Sequence, residues 1–144
     1  TINIILDTIK TELNPDKFEK LVMTYFKTIG ANEVTIPAKN ERGKEGDADI
    51  VAVFENLKLI IYIQAKFHKD KDNEWAINQI LDYKTNRESI DDGYNKIAWV
   101  ITSADTFNDE AKKIAAENEI QLIDGIEFSK MLLNAGINLL NTNL

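Results

Sequence analysis

The chain has 144 residues and a mass of 16.4 kDa, with 44% hydrophobic and 28% charged residues, which is one domain's worth of sequence and enough to bury a core without covalent staples. It has no cysteine and a single histidine, His68, which excludes a disulfide framework, a thiolate zinc site, a cysteine nucleophile and a multi-histidine metal site. The net charge of −7 argues against a protein that coats nucleic acid nonspecifically, since such binding rests on neutralising phosphates; yet Lys39, Arg42, Lys44, Lys66, Lys69 and Lys71 crowd the middle of the chain and keep a locally basic site open.

Residues 1–12 read as a short amphipathic piece, a linker or the end of a preceding segment. Asn14 followed by Pro15 is a helix start, an N-cap residue with proline at the first helical position. Phe18, Leu21, Val22, Tyr25, Phe26 and Ile29 then recur at helical spacing, and Gly30 stops the run. Residues 33–37 read as a short strand, and residues 38–47, polar with two glycines, as a loop. Two β-branched runs follow, Ala48–Phe54 and Leu57–Phe67, joined by Glu55-Asn56 as a hairpin. Asn73 is expected to cap a helix to about Arg87 that turns Ile77, Ile80, Leu81 and the stem of Lys84 inward. Asp91-Asp92-Gly93 is a turn, Lys96–Thr102 a buried strand, and Phe107–Asn118 a helix begun near Asp105 or Thr106. Ile120–Ile123 is a strand and Gly125–Asn134 a last helix, with Gly136 beyond it. The order predicts a mixed sheet with helices on both faces.

The hairpin concentrates the chemistry. With a two-residue loop, Phe54 faces Leu57 and Asp49 faces Tyr62. One side is then wholly apolar: Ile50, Ala52, Phe54, Leu57, Leu59, Ile61, Ile63 and Ala65. The other carries Asp47, Asp49, Val51, Val53, Lys58, Ile60, Tyr62, Gln64 and Lys66, with its polar members at the open end. Asp49 is diagonal to Gln64, and Lys66 lies one step beyond. A carboxylate and a carboxamide oxygen at one sheet edge can hold a hard cation such as Mg²⁺. A neighbouring lysine can orient a water or neutralise a phosphoryl oxygen. That combination suits phosphodiester hydrolysis, provided the loop has even parity. Asp47 reads first as a loop acid.

Gly46-Asp47-Ala48-Asp49-Ile50-Val51-Ala52, followed by Ile63-Gln64-Ala65-Lys66, resembles the PD-(D/E)XK nuclease superfamily, and within it the Mrr-type restriction endonuclease catalytic domain, where Gln-x-Lys replaces Asp/Glu-x-Lys. Phe18-Glu19-Lys20-Leu21-Val22 looks like that family's first helix, Trp99-Val100-Ile101-Thr102-Ser103 with Phe107 and Ala111 like its later strand and helix, and Leu122-Ile123-Asp124-Gly125 with Leu132-Leu133 like its ending. The resemblance implies an α/β, restriction-endonuclease-like mixed β-sheet core flanked by helices on both faces, spanning residues 13–140. It implies that Asp49, Glu19, Gln64 and the backbone carbonyl of Ala65 hold Mg²⁺, with Mn²⁺ able to substitute, and that Lys66 assists the attacking water. Glu19 supports this independently, since it sits about 90° from the centre of its helix's apolar face, on the flank of that face. Ala48 departs from the glycine usual before the aspartate.

The expected function is a type IV-like, metal-dependent restriction endodeoxyribonuclease, leaving 5′-phosphate and 3′-hydroxyl ends. Lys44, His68, Lys69 and Gln79 are candidate DNA contacts. The alternatives are a structure-selective nuclease for junctions or flaps, and an inactive nucleic-acid-binding module on the same scaffold. A chain beginning at Thr1 reads as an excised or processed piece, so a separate recognition domain or subunit is expected as a partner besides DNA, and a homodimer stays open. No apolar run approaches the roughly 18 to 20 residues of a membrane span. With no signal peptide either, the cytoplasm is the default compartment.

Overall fold

The computed structural model describes residues 1–37, 48–68 and 74–144, with the backbone alone at 71–72. The expectations for Lys39, Arg42, Lys44, Gly46, Asp47, Lys69 and Asn73, and for the side chain of Lys71, lie outside the described residues.

The described elements run α1 (Ile2–Glu12), α2 (Pro15–Thr28), β1 (Glu33–Thr35), β2 (Ile50–Phe54), β3 (Leu59–Lys66), β4 (Lys71–Asp72), α3 (Trp75–Glu88), β5 (Asn95–Thr102), β6 (Thr106–Phe107), α4 (Asp109–Glu117), β7 (Ile120–Ile123) and α5 (Gly125–Asn134). A five-stranded sheet has the order β1-β2-β3-β5-β7, and β4 pairs with β6 in a small second sheet. β1, β2 and β3 are antiparallel, whereas β3, β5 and β7 are parallel. The sheet therefore changes character at β3, which has an antiparallel neighbour on one edge and a parallel one on the other.

Helices cover both faces. Ile9, Phe18, Leu21, Val22, Phe26, Phe128 and Leu132 from α1, α2 and α5 pack on Ile50, Ala52, Phe54, Ile61, Ile63 and Ile101. Ala76, Ile77, Ile80 and Tyr83 of α3, with Ala111 and Ala115 of α4, pack on Tyr62, Ala98 and Val100. β3 is thus apolar on both sides, with Ile61, Tyr62, Ile63 and Gln64 buried in succession, the pattern of a strand sandwiched between helix layers. The mixed, doubly covered sheet is the architecture the element order predicts.

Local chemistry sets the boundaries. The Asn14 side chain accepts from Lys17 N–H with Pro15 at the first helical position, and Gly30 leaves the helix at φ 106°. Asp124 caps α5 in the same way, through Glu127 N–H. Three readings are corrected. Residues 1–12, expected as a linker or segment end, contain α1, whose Leu6 and Ile9 are buried. Phe107 belongs to β6, so α4 starts later and its cap is Asn108, which accepts from Ala111 N–H, rather than Asp105 or Thr106. The hairpin loop is Glu55–Lys58, four residues rather than two, with Lys58 at φ 50°. Glu55-Asn56 lacks the glycine that favours a two-residue loop, and a longer loop ending in a left-handed residue closes the hairpin instead. Leu57, expected on the apolar side, is 67% exposed in this turn.

At the start of β5, Lys96 Nζ donates to Asp92 Oδ1 at 2.8 Å and to Ile90 O. The Asp92 carboxyl is held below its ordinary range, first by the Lys96 hydrogen bond and then by Tyr94 N–H. A carboxylate whose pKa falls on folding adds stability above its unfolded pKa, and that stability is lost as pH drops through the folded value. Asp92→Asn should therefore melt below wild type at neutral pH, and the gap should close as the solution is acidified below about pH 4. A pH series of thermal melts checks this; a gap that is constant with pH would exclude the ionised pair as its source.

Candidate active site

The four-residue loop preserves even parity, so the two faces expected for the hairpin are kept while the register moves by two residues. Val51, not Asp49, faces Tyr62, and Ile50 faces Ile63. β2 begins at Ile50, so Asp49 stands at the point where its ladder ends. Asp49 N–H donates to Ile63 O at 2.9 Å, and Asp49 Oδ2 accepts from Ala65 N–H at 2.9 Å. The carboxylate thus takes the place of the backbone carbonyl that a longer β2 would have supplied. Rather than lying diagonal to Gln64, Asp49 is bonded directly to the residue between Gln64 and Lys66.

This bond fixes the directions of the neighbouring groups. In a strand, the N–H and C=O of one residue point to the same edge, and successive residues alternate. The Ala65 N–H points towards Asp49, so the Ala65 carbonyl faces the same edge, where β2 has ended. The Lys66 carbonyl points the other way and accepts from Ser103 N–H at 3.0 Å. The side chains of Gln64 and Lys66 share the face covered by α3. Gln64 is fully buried, Lys66 and Asp49 half-buried. Ala48, where the resembled family has glycine, is fully buried in the same cluster as Ala76 and Ile77 of α3.

Glu19 approaches from the opposite helix layer. Its neighbour Phe18 is buried and packs its ring 5.9 Å from that of Phe67, the residue after Lys66. The first turn of α2 is thereby held against the end of β3, with Glu19 half-buried on the flank. Among the described residues no three His, Cys, Asp or Glu side chains gather at one point. A cation at this edge would therefore draw on the Gln64 carboxamide and the Ala65 carbonyl as well as on carboxylates. These are all oxygen donors, a set that fits a hard divalent ion.

On the α3 side, the rings of Tyr62 and Tyr83 meet at 5.1 Å. α3 connects two parallel strands and so runs antiparallel to β3. One helical turn back from Tyr83, about 6 Å, matches two strand residues forward from Tyr62, about 6.6 Å. That arithmetic sets Gln79, which is half-buried, at the level of Gln64. Another turn sets Trp75, 62% exposed, at the level of Lys66. Burial pushes the Tyr62 hydroxyl up to about 12, with Tyr83 and Asp92 adding to the rise and Arg87 opposing it. His68, a candidate DNA contact, is exposed and exchanges two hydrogen bonds with Ser103 through its backbone. Lys44 and Lys69 lie outside the described residues. The position of Ser103 was not apparent from periodicity, because a serine at a strand end reads as the start of a turn.

A family model described as restriction endonuclease, of the Mrr catalytic type, matches residues 10–132. No curated protein matches the chain. Among solved structures, a repair endonuclease from Pyrococcus abyssi is similar, with a TM-score of 0.55 and 13% identity over 78% of this chain and 46% of that one. The MspJI restriction endonuclease in complex with a 27-mer oligonucleotide gives a TM-score of 0.56 and 17% identity over 88% of this chain and 30% of that one. EndoMS in complex with double-stranded DNA gives a TM-score of 0.50 and 12% identity over 73% of this chain and 41% of that one. The chain thus spans less than half the length of each of these three structures, and at these identities the likeness is one of fold.

The Asp49–Ala65 bond has a measurable consequence. Asp49→Ala removes the acceptor of a strand N–H, which should cost about 1–3 kcal/mol. Asp49→Asn, which keeps an acceptor oxygen, should cost less. Urea unfolding of the three proteins reads the difference. Equal stabilities would mean that the hairpin turn alone holds the register.

Proposed function

The chain belongs to the Mrr-type restriction endonuclease family, and from that premise and the site's geometry we propose that it is the catalytic domain of a Mg²⁺-dependent DNA endonuclease of the type IV-like restriction class. The observation that carries the proposal is the junction at the end of β2. There the Asp49 carboxylate is bonded to the backbone between Gln64 and Lys66, on an edge that α2 and α3 reach from opposite faces. Asp49, with Gln64, the Ala65 carbonyl and Glu19, would hold the cation, and Mn²⁺ would substitute for Mg²⁺. When bound, such an ion supplies Lewis acidity and lowers the pKa of water.

The protein's own groups do the rest. Lys66 stands on the same face as Gln64, and its ammonium would orient the attacking water and balance charge on the phosphoryl oxygens. Water oxygen bonds to phosphorus as the bond to the 3′ oxygen breaks, leaving a 5′-phosphate and a 3′-hydroxyl. Ala65 N–H keeps the Asp49 carboxylate oriented before substrate arrives. Gln79, at the level of Gln64, His68 and the residues Lys44 and Lys69 are the DNA contacts in this reading. The acidic chain implies weak DNA binding by this domain alone, and so a recognition domain or subunit as partner. A second copy of the chain would allow both strands to be cut.

Two other readings use the same scaffold. A structure-selective nuclease would share the site and differ in the DNA it accepts. An inactive DNA-binding module is disfavoured because Asp49 and Lys66 are both present, with Asp49 bonded to the residue before Lys66.

Incubation with supercoiled plasmid, with and without Mg²⁺, tests the activity. Lys66→Ala should cut at least about a hundredfold more slowly while keeping its circular dichroism spectrum; a folded variant that cuts at the wild-type rate would remove Lys66 from the chemistry. Metal should also raise the melting temperature, because it binds only the folded site. Glu19→Gln should blunt that rise and slow cleavage less than Lys66→Ala. An equal metal-induced rise in both proteins, with unchanged cleavage, would return Glu19 to being an ordinary acid on the flank of α2.

A further inference from the structure

Beyond Lys66, where β3 ends, the chain runs for two more residues beside the exit of β5. Ser103, fully buried, sits where β5 ends. Its N–H donates to Lys66 O at 3.0 Å. Its Oγ accepts from His68 N–H at 2.8 Å and donates to His68 O at 2.5 Å. One hydroxyl thereby satisfies both backbone groups of His68, in the manner of one more residue of the parallel ladder, and residues 66–68 are tied down from both ends. Phe67 lies between these ties, and its ring meets Phe18 beside Glu19.

Ser103 is itself immobilised from behind. Gly125 N–H donates to Ala104 O at 2.7 Å. A Cβ on Gly125 would come within 2.6 Å of Ser103 O, 2.6 Å of Leu6 Cδ1 and 2.9 Å of Ala104 O. The start of α5 therefore presses on the backbone of Ser103 and Ala104 with no side chain between. Lys10 of α1 also pairs with Asp105.

We infer that Ser103 is a positioning residue for the proposed nuclease site: its hydroxyl sets the path of the chain through Lys66 and Phe67, and so the placement of the lysine relative to Glu19 and Asp49. The inference rests on the nuclease reading for its effect on rate and on the geometry alone for its effect on Lys66. Ser129 supplies the control. It is also fully buried, and its Oγ donates to Gly125 O at 2.7 Å, a bond within α5 rather than to residues 66–68.

Ser103→Ala and Ser129→Ala should both lower the melting temperature. In plasmid cleavage at temperatures well below each melt, Ser103→Ala should lose about ten- to a hundredfold in kcat with little change in KM, the scale expected of a small misplacement. Ser129→Ala should keep the wild-type kcat. Should Ser103→Ala fail to fold, Ser103→Cys fills the site with a slightly larger thiol that weakens both bonds, and should show the same loss in smaller measure. Independently of cleavage, the amide exchange of His68 and the side-chain Cε resonance of Lys66 should change in the Ser103 variant and not in the Ser129 variant. Equal kcat in the two variants with an unmoved Lys66 resonance would overturn the positioning role. A wild type that does not cut DNA would overturn the nuclease reading instead, and the two spectroscopic measurements would then decide the role of Ser103 alone.

Discussion

The site depends on one substitution of hydrogen-bond partners, a side-chain carboxylate in place of a backbone carbonyl at the end of β2. A strand N–H must be satisfied, and at Ala65 the ladder with β2, which begins at Ile50, has ended. Asp49 Oδ2 meets that demand. The same bond brings an acidic group to an edge that would otherwise be closed by ladder pairing. It turns the Ala65 carbonyl towards the opening, at the edge of the face that carries the side chains of Gln64 and Lys66. Structural necessity and chemical placement are here one interaction.

The change from antiparallel to parallel pairing at β3 builds on this. On its antiparallel edge, β3 outruns β2 and leaves room. On its parallel edge it runs in register with β5 from Leu59↔Asn95 to Lys66↔Thr102 and stays covered. The open side collects the oxygen donors, and the closed side carries the hydroxyl of Ser103 that steadies the lysine. The two helix layers reach this strand end from opposite faces, α2 through Phe18 and α3 through Tyr83 and the turns before it.

Much of this was legible in the sequence where local chemistry dominates. Asn14-Pro15 and Gly30 announce helix ends by their capping chemistry, and the Phe18–Phe26 spacing gives a buried face. The hairpin's faces were legible because they depend only on parity. Its register was not, because a turn that ends with Lys58 in a left-handed conformation carries no glycine to announce it. Family resemblance drew attention to Glu19, and the Phe18–Phe67 contact now explains how α2 is held at the strand end. The docking of α1 was obscured because it packs against α5, at the far end of the chain, and the cap of α4 by the β4–β6 pairing, a long-range interaction. Ser103 was illegible in its role, since the partner it serves is 35 residues away.

That separation sets the two contacts apart in what each requires of the rest of the fold. The Asp49–Ala65 bond closes a span of 16 residues within one hairpin, whereas the His68–Ser103 exchange waits for α3 to form and β5 to dock. The longer closure costs only about 0.7 kcal/mol more in chain entropy, but it also requires two further elements to be in place. A growing or partly unfolded chain can thus carry the acidic half of the site while its lysine still swings from a frayed strand end. Competence for the proposed chemistry would then depend on completion of the parallel half of the sheet.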